Sequence, residues 1–245
     1  PVRQPGGGRM SAEAVDLAAV QALRLAQLLR FGSPALPIGL YAYSQGTETA
    51  IDDGRVHDAA SARDWLLQLL DGPLARYELP LLADAVDAVQ AGEWATLSAI
   101  NATFLASRET RESRAEAEQL GYSLAQLLRA LPETPPAVHD WLAREQPLGA
   151  LAAHALLAAA GTLDKPSVLT TYAGSWLENQ VAVLVKTVPL GQTAGQQLLS
   201  ALLPVLAQAV ARAPRLPPEM RSSFAPGLAL LGMRHEHQYS RLFRS

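Results

Sequence analysis

The last thirteen residues of the chain, "MRHEHQYSRLFRS" (233–245), combine residue types that could do three kinds of chemistry. Two histidines flank a glutamate, and these are the ligand types of a metal site. The arginines and aromatic residues could instead bind nucleic acid or another protein. Side chains at i and i+2 of a helix point about 200° apart, so His235 and His237 on a helix could not share one ion. We therefore expect no mononuclear metal site in this segment.

Helical spacing gives the same residues a different role. One stripe of a predicted helix over residues 226–239, continued to residue 242, contains Leu228, Leu231, His235, Tyr239 and Leu242. The pattern predicts that His235 packs against a neighbour, that His237 is solvated, and that Arg234, Gln238 and Arg241 form an adjoining face. Two interpretations remain open. The helix either docks on its own domain with solvated arginines, or binds a partner through an anchor of Tyr239 and Phe243.

Other polar residues could also form a site. Glu178, Asn179 and Gln180 interrupt an apolar helical pattern, and a buried carboxylate there would need a partner. His154 lies in an Ala/Leu helix, where a hydrogen-bonded core histidine is more typical than a metal ligand. Residues 107–121 carry two i,i+4 pairs typical of a solvated face, Arg108–Glu112 and Arg114–Glu118, and Glu109 leaves part of the charge unpaired.

The sequence contains no self-contained catalytic pattern. A phosphate-binding G-x-x-x-x-G-K-[ST] loop, an H-E-x-x-H zinc motif and a G-x-S-x-G elbow are all missing, and the chain has no cysteine. Disulfides, thiolate zinc sites and cysteine nucleophiles are therefore excluded. A helical hydrolase using Glu178 and His154 stays open as an alternative function.

Composition and charge favour a helical protein without a general affinity for nucleic acid. Hydrophobic residues make up 49% of the 245, many of them Ala and Leu, and only 6% of residues are aromatic. The net charge is −3, but residues 210–245 carry six arginines against two glutamates. This local excess could attract an acidic partner. A nucleic-acid binder led by the basic tail is a further alternative, although the acidic overall charge argues against it.

The elements that must position these residues are helices. The periodicity predicts an all-α, single-domain irregular bundle of about ten helices over residues 13–245, after a disordered segment at 1–12. Predicted helices include 13–30, 92–130 with a break near Gly121, 165–188, 196–211 and 226–239, and Ser61 with Asp64 resembles a capping box. The 25 uncharged residues from Thr187 to Ala211 could span a bilayer, but their Gln, Pro and Gly favour a buried helix pair. We expect no membrane segment.

Four stretches, in this order, carry a family resemblance: "SPALPIGLYAYSQGTETA", "RETRESRAEAEQLGYSL", "WLENQVAVLVKTVPLGQTAGQQLL" and "SFAPGLALLGMRHEHQYSRLFRS". They resemble the conserved blocks of the urease accessory protein UreF family, and the resemblance runs from about residue 24 to residue 245. The chain has Gly46-Thr47-Glu48 where members of that family commonly have G-L-E.

The resemblance implies an all-α, cytoplasmic protein that is not an enzyme. Members of that family form a homodimer that holds UreD (also called UreH) on one side and two copies of the GTPase UreG on the other. The complex delivers nickel to apo-urease, and the protein modulates the GTPase. On this basis we expect no tightly bound cofactor, since nickel passes through the complex and GTP and Mg²⁺ belong to the GTPase. We expect neither a nucleic-acid nor a membrane partner.

The resemblance also assigns residues to partners. For the UreD side it implies Tyr41, Tyr43, Ser44, Arg234, His235, Gln238, Tyr239, Arg241, Leu242, Phe243 and Arg244. For the GTPase side it implies Glu178 and Lys186.

Overall fold

The computed structural model describes residues 12–161 and 163–245, and within them the chain is helical with no strand. The predicted disordered segment lies almost entirely outside the described residues. The α-helices are α1 (Ala12–Phe31), α2 (Thr47–Asp52), α3 (Ala59–Leu69), α4 (Leu79–Ala91), α5 (Trp94–Ala106), α6 (Arg111–Ala130), α7 (Pro136–Leu142), α8 (Ala150–Ala155), α9 (Leu157–Ala160), α10 (Lys165–Thr187), α11 (Gln192–Arg212) and α12 (Pro226–His235). The predicted fold class, an all-α irregular bundle, is confirmed.

Local sequence explains where two of these helices begin. The carboxylate of Asp58 accepts a hydrogen bond from the backbone N–H of Ser61 at 2.8 Å, and the hydroxyl of Ser61 accepts one from the backbone N–H of Asp58 at 3.0 Å, so a capping box opens α3. The predicted box of Ser61 and Asp64 is wrong because Ser61 is the third residue of the helix. Thr110 and Ser113 form an equivalent box at the start of α6.

The predicted break near Gly121 is wrong, since α6 runs through that residue without interruption. The helical run from residue 92 is broken earlier, between α5 and α6 at residues 107–110. Gly121 is required for packing: a Cβ there would overlap the backbone oxygen of Leu148 and lie 2.7 Å from the carbonyl carbon of Gly149. The glycine therefore allows α6 to touch the backbone that leads into α8.

The long helix α10 forms the centre of the bundle. The expectation of a helix over 165–188 is confirmed, with the side chain of Asp164 accepting from the backbone N–H of Ser167 at its start. Its apolar face packs into the core against α1, α4 and α11. Two of its polar residues, Asn179 and Gln180, are buried as well, and they point toward the loop before α2.

Helix α11 differs from its prediction. It begins at Gln192, and only 33% of the most apolar 18 residues within Gln192–Arg215 is buried, so the expected buried helix pair is wrong. By length and hydropathy this stretch could cross a membrane. Its inner residues Leu198, Leu202 and Leu206 pack on the rest of the bundle.

The close approach at Gly121 gives the first testable prediction. Gly121→Ala should lower the free energy of unfolding by about 2 kcal/mol or more, because the added methyl meets backbone that cannot move aside. Gly174→Ala in α10 is the matched control: nothing lies within 4 Å of its Cβ position. It should be neutral or stabilising by up to about 1 kcal/mol. Urea unfolding measures both, and equal effects would contradict the packing described.

Candidate functional site

The loop before α2 takes a shape that only certain residues allow. Gly39 and Gly46 have φ of 81° and 82°, and Gln45 has φ of 55°. Gly46 is further constrained because a Cβ would lie 2.9 Å from Cδ1 of Leu228 in α12. The glycines of the first sequence block are therefore needed for left-handed backbone and for close contact with the final helix.

Buried amides of α10 hold this loop in place. Asn179 donates from Nδ2 to the carbonyl oxygen of Tyr43 at 2.9 Å, and Gln180 donates from Nε2 to that of Ser44 at 3.3 Å. Thr47 donates its hydroxyl to Oε1 of Gln180 at 2.6 Å. Thr47, where the chain departs from the G-L-E pattern, thus adds a hydrogen bond that leucine could not make.

The final segment leaves the helix earlier than predicted. Helix α12 ends at His235, and Tyr239 and Leu242 are 106% and 73% exposed, so the predicted stripe holds only as far as His235. Phe243 is buried instead, and Nζ of Lys186 lies 5.6 Å from the centroid of its ring. The chain turns away from the helical path because Glu48 accepts hydrogen bonds from the backbone N–H groups of Leu242 at 2.7 Å and Phe243 at 3.2 Å.

The end of the segment pairs with the loop before α2. Ser44 and Gln45 both donate their backbone N–H groups to the backbone oxygen of Ser245, at 2.6 and 3.0 Å. The backbone N–H of Arg244 donates to the carbonyl oxygen of Ala42 at 2.8 Å. The first and last sequence blocks are therefore joined directly through their backbones.

A buried histidine lies between two carboxylates under this segment. His235 is fully buried, with Nδ1 2.7 Å from Oε2 of Glu112 and Nε2 3.1 Å from Oε2 of Glu48. Each ring nitrogen therefore lies within hydrogen-bond distance of one carboxylate, and the ring bridges the two. Arg241 adds a positive charge, 2.6 Å from Oε1 of Glu112. We call Glu48, Glu112, His235 and Arg241 the tail clamp.

A third carboxylate, Glu116, lies beside the clamp. It accepts from Nε2 of Gln45 at 2.5 Å and from the hydroxyl of Ser245 at 2.8 Å. Burial raises its pKa to about 7 against the opposing effect of these hydrogen bonds. Glu116 also lines a cavity of about 180 Å³, together with Glu78, Arg108, His154 and Tyr172.

Several polar side chains of this cavity have hydrogen-bond partners within the protein. Glu78 accepts from Arg108 at 2.8 Å and from the hydroxyl of Tyr172 at 2.6 Å. Burial lowers the pKa of His154, whose Nδ1 lies 2.8 Å from the carbonyl oxygen of Ala150, so this residue is the core histidine expected from its helix. Among the described residues no group of three or more His, Asp and Glu side chains is arranged to hold a metal ion.

One of the two predicted i,i+4 pairs is replaced by a longer-range pair. Arg108 pairs with Glu78 and not with Glu112, whereas the predicted pair Arg114–Glu118 is present at 2.9 Å. Arg234 forms a bidentate pair with Asp53 at 2.6 and 2.7 Å. Gln238 accepts from the hydroxyl of Thr49 at 3.5 Å. Arg234, Gln238 and Arg241 therefore do not form one solvated face, because each contacts a different residue: Asp53 just after α2, Thr49 in α2 and Glu112 in α6.

The residues expected on the GTPase side lie next to those expected on the UreD side. Glu178 is exposed and accepts from the hydroxyl of Tyr41 at 3.3 Å, and burial together with Glu178 raises the pKa of Tyr41 to about 12. Lys186 lies over Phe243. Each of the two thus touches a residue assigned to the other partner, so the two expected surfaces are contiguous. Which partner contacts which residue stays a prediction.

Comparison with known proteins places these residues in a family. The UreF family pattern matches residues 56–203. The urease accessory protein UreF of Pseudomonas paraeruginosa is 54% identical over 217 residues, 89% of this chain and 97% of the relative. The chain belongs to the UreF family. The proteins of the same name from Pseudomonas aeruginosa LESB58 and Ectopseudomonas mendocina are 53% and 50% identical over the same shares.

As a UreF-family member, the chain is a urease accessory protein and not an enzyme. The geometry agrees with this, because His154 lines the cavity whereas Glu178 does not, so the two residues of the hydrolase alternative do not share that cavity. The sequence did not single out Gln45, Glu48 or Glu116 as site residues. Glu48 and Glu116 accept hydrogen bonds from the tail, and Gln45 donates one to Glu116. The one available signal was the acidic excess in "RETRESRAEAE", whose Glu112 and Glu116 find their partners in the tail.

The two tail histidines give a matched pair of variants. His235→Ala removes the ring that faces the buried Glu48 and the partly buried Glu112, and should lower the free energy of unfolding by about 3 kcal/mol or more. His237→Ala, at an exposed position two residues away, should change it by less than about 0.5 kcal/mol. Urea unfolding at pH 6.5 compares them, and a similar cost for both would show that the clamp does not stabilise the fold.

Glu116 predicts a pH dependence. Its folded pKa of about 7 lies above the ordinary value of 4.5, so the folded state binds a proton more tightly than the unfolded state. Stability from this group is full below pH 4.5 and is lost as the pH rises to 7, by at most roughly 3 kcal/mol. Glu116→Gln should remove this loss.

The measurement is the free energy of unfolding of both proteins at several pH values between 5 and 8. Glu118→Gln, which alters the exposed pair with Arg114, is the control and should follow the wild-type curve. A Glu116→Gln curve parallel to the wild-type curve would contradict the assignment.

Proposed function

We propose that this chain bridges UreD (UreH) and the GTPase UreG in the complex that matures the nickel centre of urease. It acts as a cytoplasmic homodimer and modulates the GTPase. Nickel is the cargo of the complex and passes on to apo-urease without being held tightly by this chain. GTP and Mg²⁺ bind the partner GTPase.

One observation carries the proposal: the tail presents apolar side chains from a fixed backbone. Leu242 projects into solvent from a backbone whose N–H group donates to Glu48, and the exposed Tyr239 lies three residues earlier, between the buried His235 and Leu242. Leu230 and Met233 of α12 are 61% and 47% exposed on the same segment. Exposed aromatic and aliphatic side chains on one segment are typical of a protein-binding surface. Because the segment is already ordered, binding costs less conformational entropy.

The two interpretations of the tail are therefore compatible. The buried residues His235 and Phe243 dock the segment on its own domain, and the exposed Tyr239 and Leu242 remain for UreD. In this proposal Tyr43, Ser44 and His235 act by positioning the tail. Arg244 and the edge of Tyr41 contribute to the contact surface.

A nucleic-acid partner is disfavoured by the charge pairing. Of the six arginines after residue 210, four pair with carboxylates: Arg212 with Asp71, Arg221 with Asp84, Arg234 with Asp53 and Arg241 with Glu112. Phosphate binding depends on positive charge that is free to replace counterions. The basic excess of the tail is thus largely neutralised within the molecule.

Co-purification with UreD tests the proposal. The double variant Tyr239→Ser/Leu242→Asp changes only exposed side chains, so it should fold like the wild type while its affinity for UreD falls at least about tenfold. Tyr122→Ser, at a tyrosine 53% exposed on α6, is the control and should bind UreD normally. Full retention of UreD by the double variant would refute the tail as the UreD surface.

A further inference from the structure

Gln45 has a backbone conformation that suits glycine better. Its φ is 55°, in the left-handed region that few residues other than glycine adopt. The other two positive-φ residues of this loop, Gly39 and Gly46, are both glycines. A glycine at position 45 would take the same turn with less strain. The glutamine is therefore held there by contacts that offset the strain.

The turn at Gln45 lies between two groups that bind the tail. On one side, the N–H groups of Ser44 and Gln45 donate to the backbone oxygen of Ser245, at 2.6 and 3.0 Å. On the other side, Glu48 accepts from two backbone N–H groups of the tail. The conformation of Gln45 therefore sets the position of one contact relative to the other.

The side chain of Gln45 links the long helix α10 to the end of the tail. The hydroxyl of Thr47 donates to Oε1 of Gln180 at 2.6 Å, and Nε2 of Gln180 donates to Oε1 of Gln45 at 3.2 Å. Nε2 of Gln45 then donates to Oε1 of Glu116 at 2.5 Å. The hydroxyl of Ser245 donates to the other oxygen of the same carboxylate at 2.8 Å. The hydrogen bonds thus form one continuous chain from α2 to the tail.

A primary amide has the two functions that this position requires. Gln180 presents a donor to residue 45, and the carboxylate of Glu116 requires a donor from it. An amide supplies both an acceptor and a donor on one side chain. A carboxylate at residue 45 would accept from Gln180 equally well, but it would face Glu116 with a like charge.

We propose that Gln45 is a positioning residue for the tail, and that its backbone turn and its amide together hold Ser245 and the preceding residues in the conformation that UreD binds. The inference rests on the proposed function for the UreD surface. It adds a residue that acts on UreD binding through the tail.

Gln45→Glu tests the proposal. At pH 8 the two facing carboxylates are ionised and repel each other, so the backbone amides of Phe243 and Arg244 should lose at least about tenfold of their protection from hydrogen exchange relative to the wild type. The affinity for UreD should fall at least about tenfold as well. At pH 5.5 the two carboxyl groups share protons, and the variant should come within about threefold of the wild type in both measurements.

The exchanged pair Gln45→Glu/Glu116→Gln restores each hydrogen bond with the roles reversed. Nε2 of residue 116 then donates to the carboxylate of residue 45, and its Oε1 accepts from Ser245. At pH 8 this double variant should have tail protection and UreD affinity within about threefold of the wild type. Gln126→Glu makes the same chemical change at an exposed position of α6, and this control should match the wild type at both pH values.

The pH dependence is measured as a difference between variant and wild type. Apart from its hydrogen-bond partners, Glu116 is acted on by Arg108, which lowers its pKa, and by Glu78, which raises it. Both are the same in all four proteins. So are the other titratable groups that line the adjoining cavity: Glu109, Glu112, His154 and Tyr172.

Three results would overturn the proposal. The first is an equal loss of protection by Gln45→Glu at pH 8 and pH 5.5, which would show an effect of packing alone. The second is wild-type protection in this variant at pH 8, and the third is a double variant that stays unprotected. Gln45→Met removes both side-chain hydrogen bonds without adding a charge. Wild-type protection in Gln45→Met would also overturn the proposal, whether or not Gln45→Glu folds at pH 8.

The two proposals fail in different ways. Exchange of the tail amides is measured on the chain without UreD, so it reports on Gln45 alone. Retention of UreD by Tyr239→Ser/Leu242→Asp would refute the UreD surface and leave the exchange results unchanged. Unchanged UreD affinity of Gln45→Glu at pH 8, with UreD lost by Tyr239→Ser/Leu242→Asp, would refute the role of Gln45 in partner binding.

Discussion

The candidate site depends on one buried polar arrangement, in which the ring of His235 bridges Glu48 and Glu112. Two carboxylates whose side chains are only 8% and 15% exposed are costly unless each finds a donor. The tail supplies those donors: the His235 ring, the Arg241 guanidinium and the backbone N–H groups of residues 242 and 243. If the tail left, the carboxylates would lose their partners, so the tail conformation and the stability of the fold are linked.

The same arrangement explains why four separate sequence blocks resemble one family. The first block contributes Glu48 and the left-handed loop, and the second contributes Glu112 and Glu116. The third block contributes the buried amides Asn179 and Gln180, and the fourth contributes the tail itself. These blocks lie up to about 200 residues apart in sequence, yet Ser44, Glu116 and Ser245 are joined by hydrogen bonds. Residues spread along the chain therefore serve one purpose, which is to fix the tail.

The helical elements could be predicted from sequence because their periodicity is local. The all-α class and the long helix α10 followed from it, and so did the packed His235 and the solvated His237. The stripe through Tyr239 and Leu242 failed because periodicity does not reveal where a helix ends. Here α12 ends at His235 and a carboxylate nearly 200 residues earlier captures the following backbone N–H groups. Similarly, Glu178 looked like a buried carboxylate, but its neighbours Asn179 and Gln180 take the buried positions.

Hydrogen exchange at the backbone amides of Leu242 and Phe243 in the isolated wild-type chain tests the central claim most directly. Both amides donate to Glu48, a member of the tail clamp. They should therefore exchange at least about 100-fold more slowly than in an unstructured peptide. The exposed amide of Ser240, which has no such acceptor among the described hydrogen bonds, should exchange faster than either. Exchange of all three at the unstructured rate would show that the tail is not docked before a partner binds, and would contradict the account given for this site.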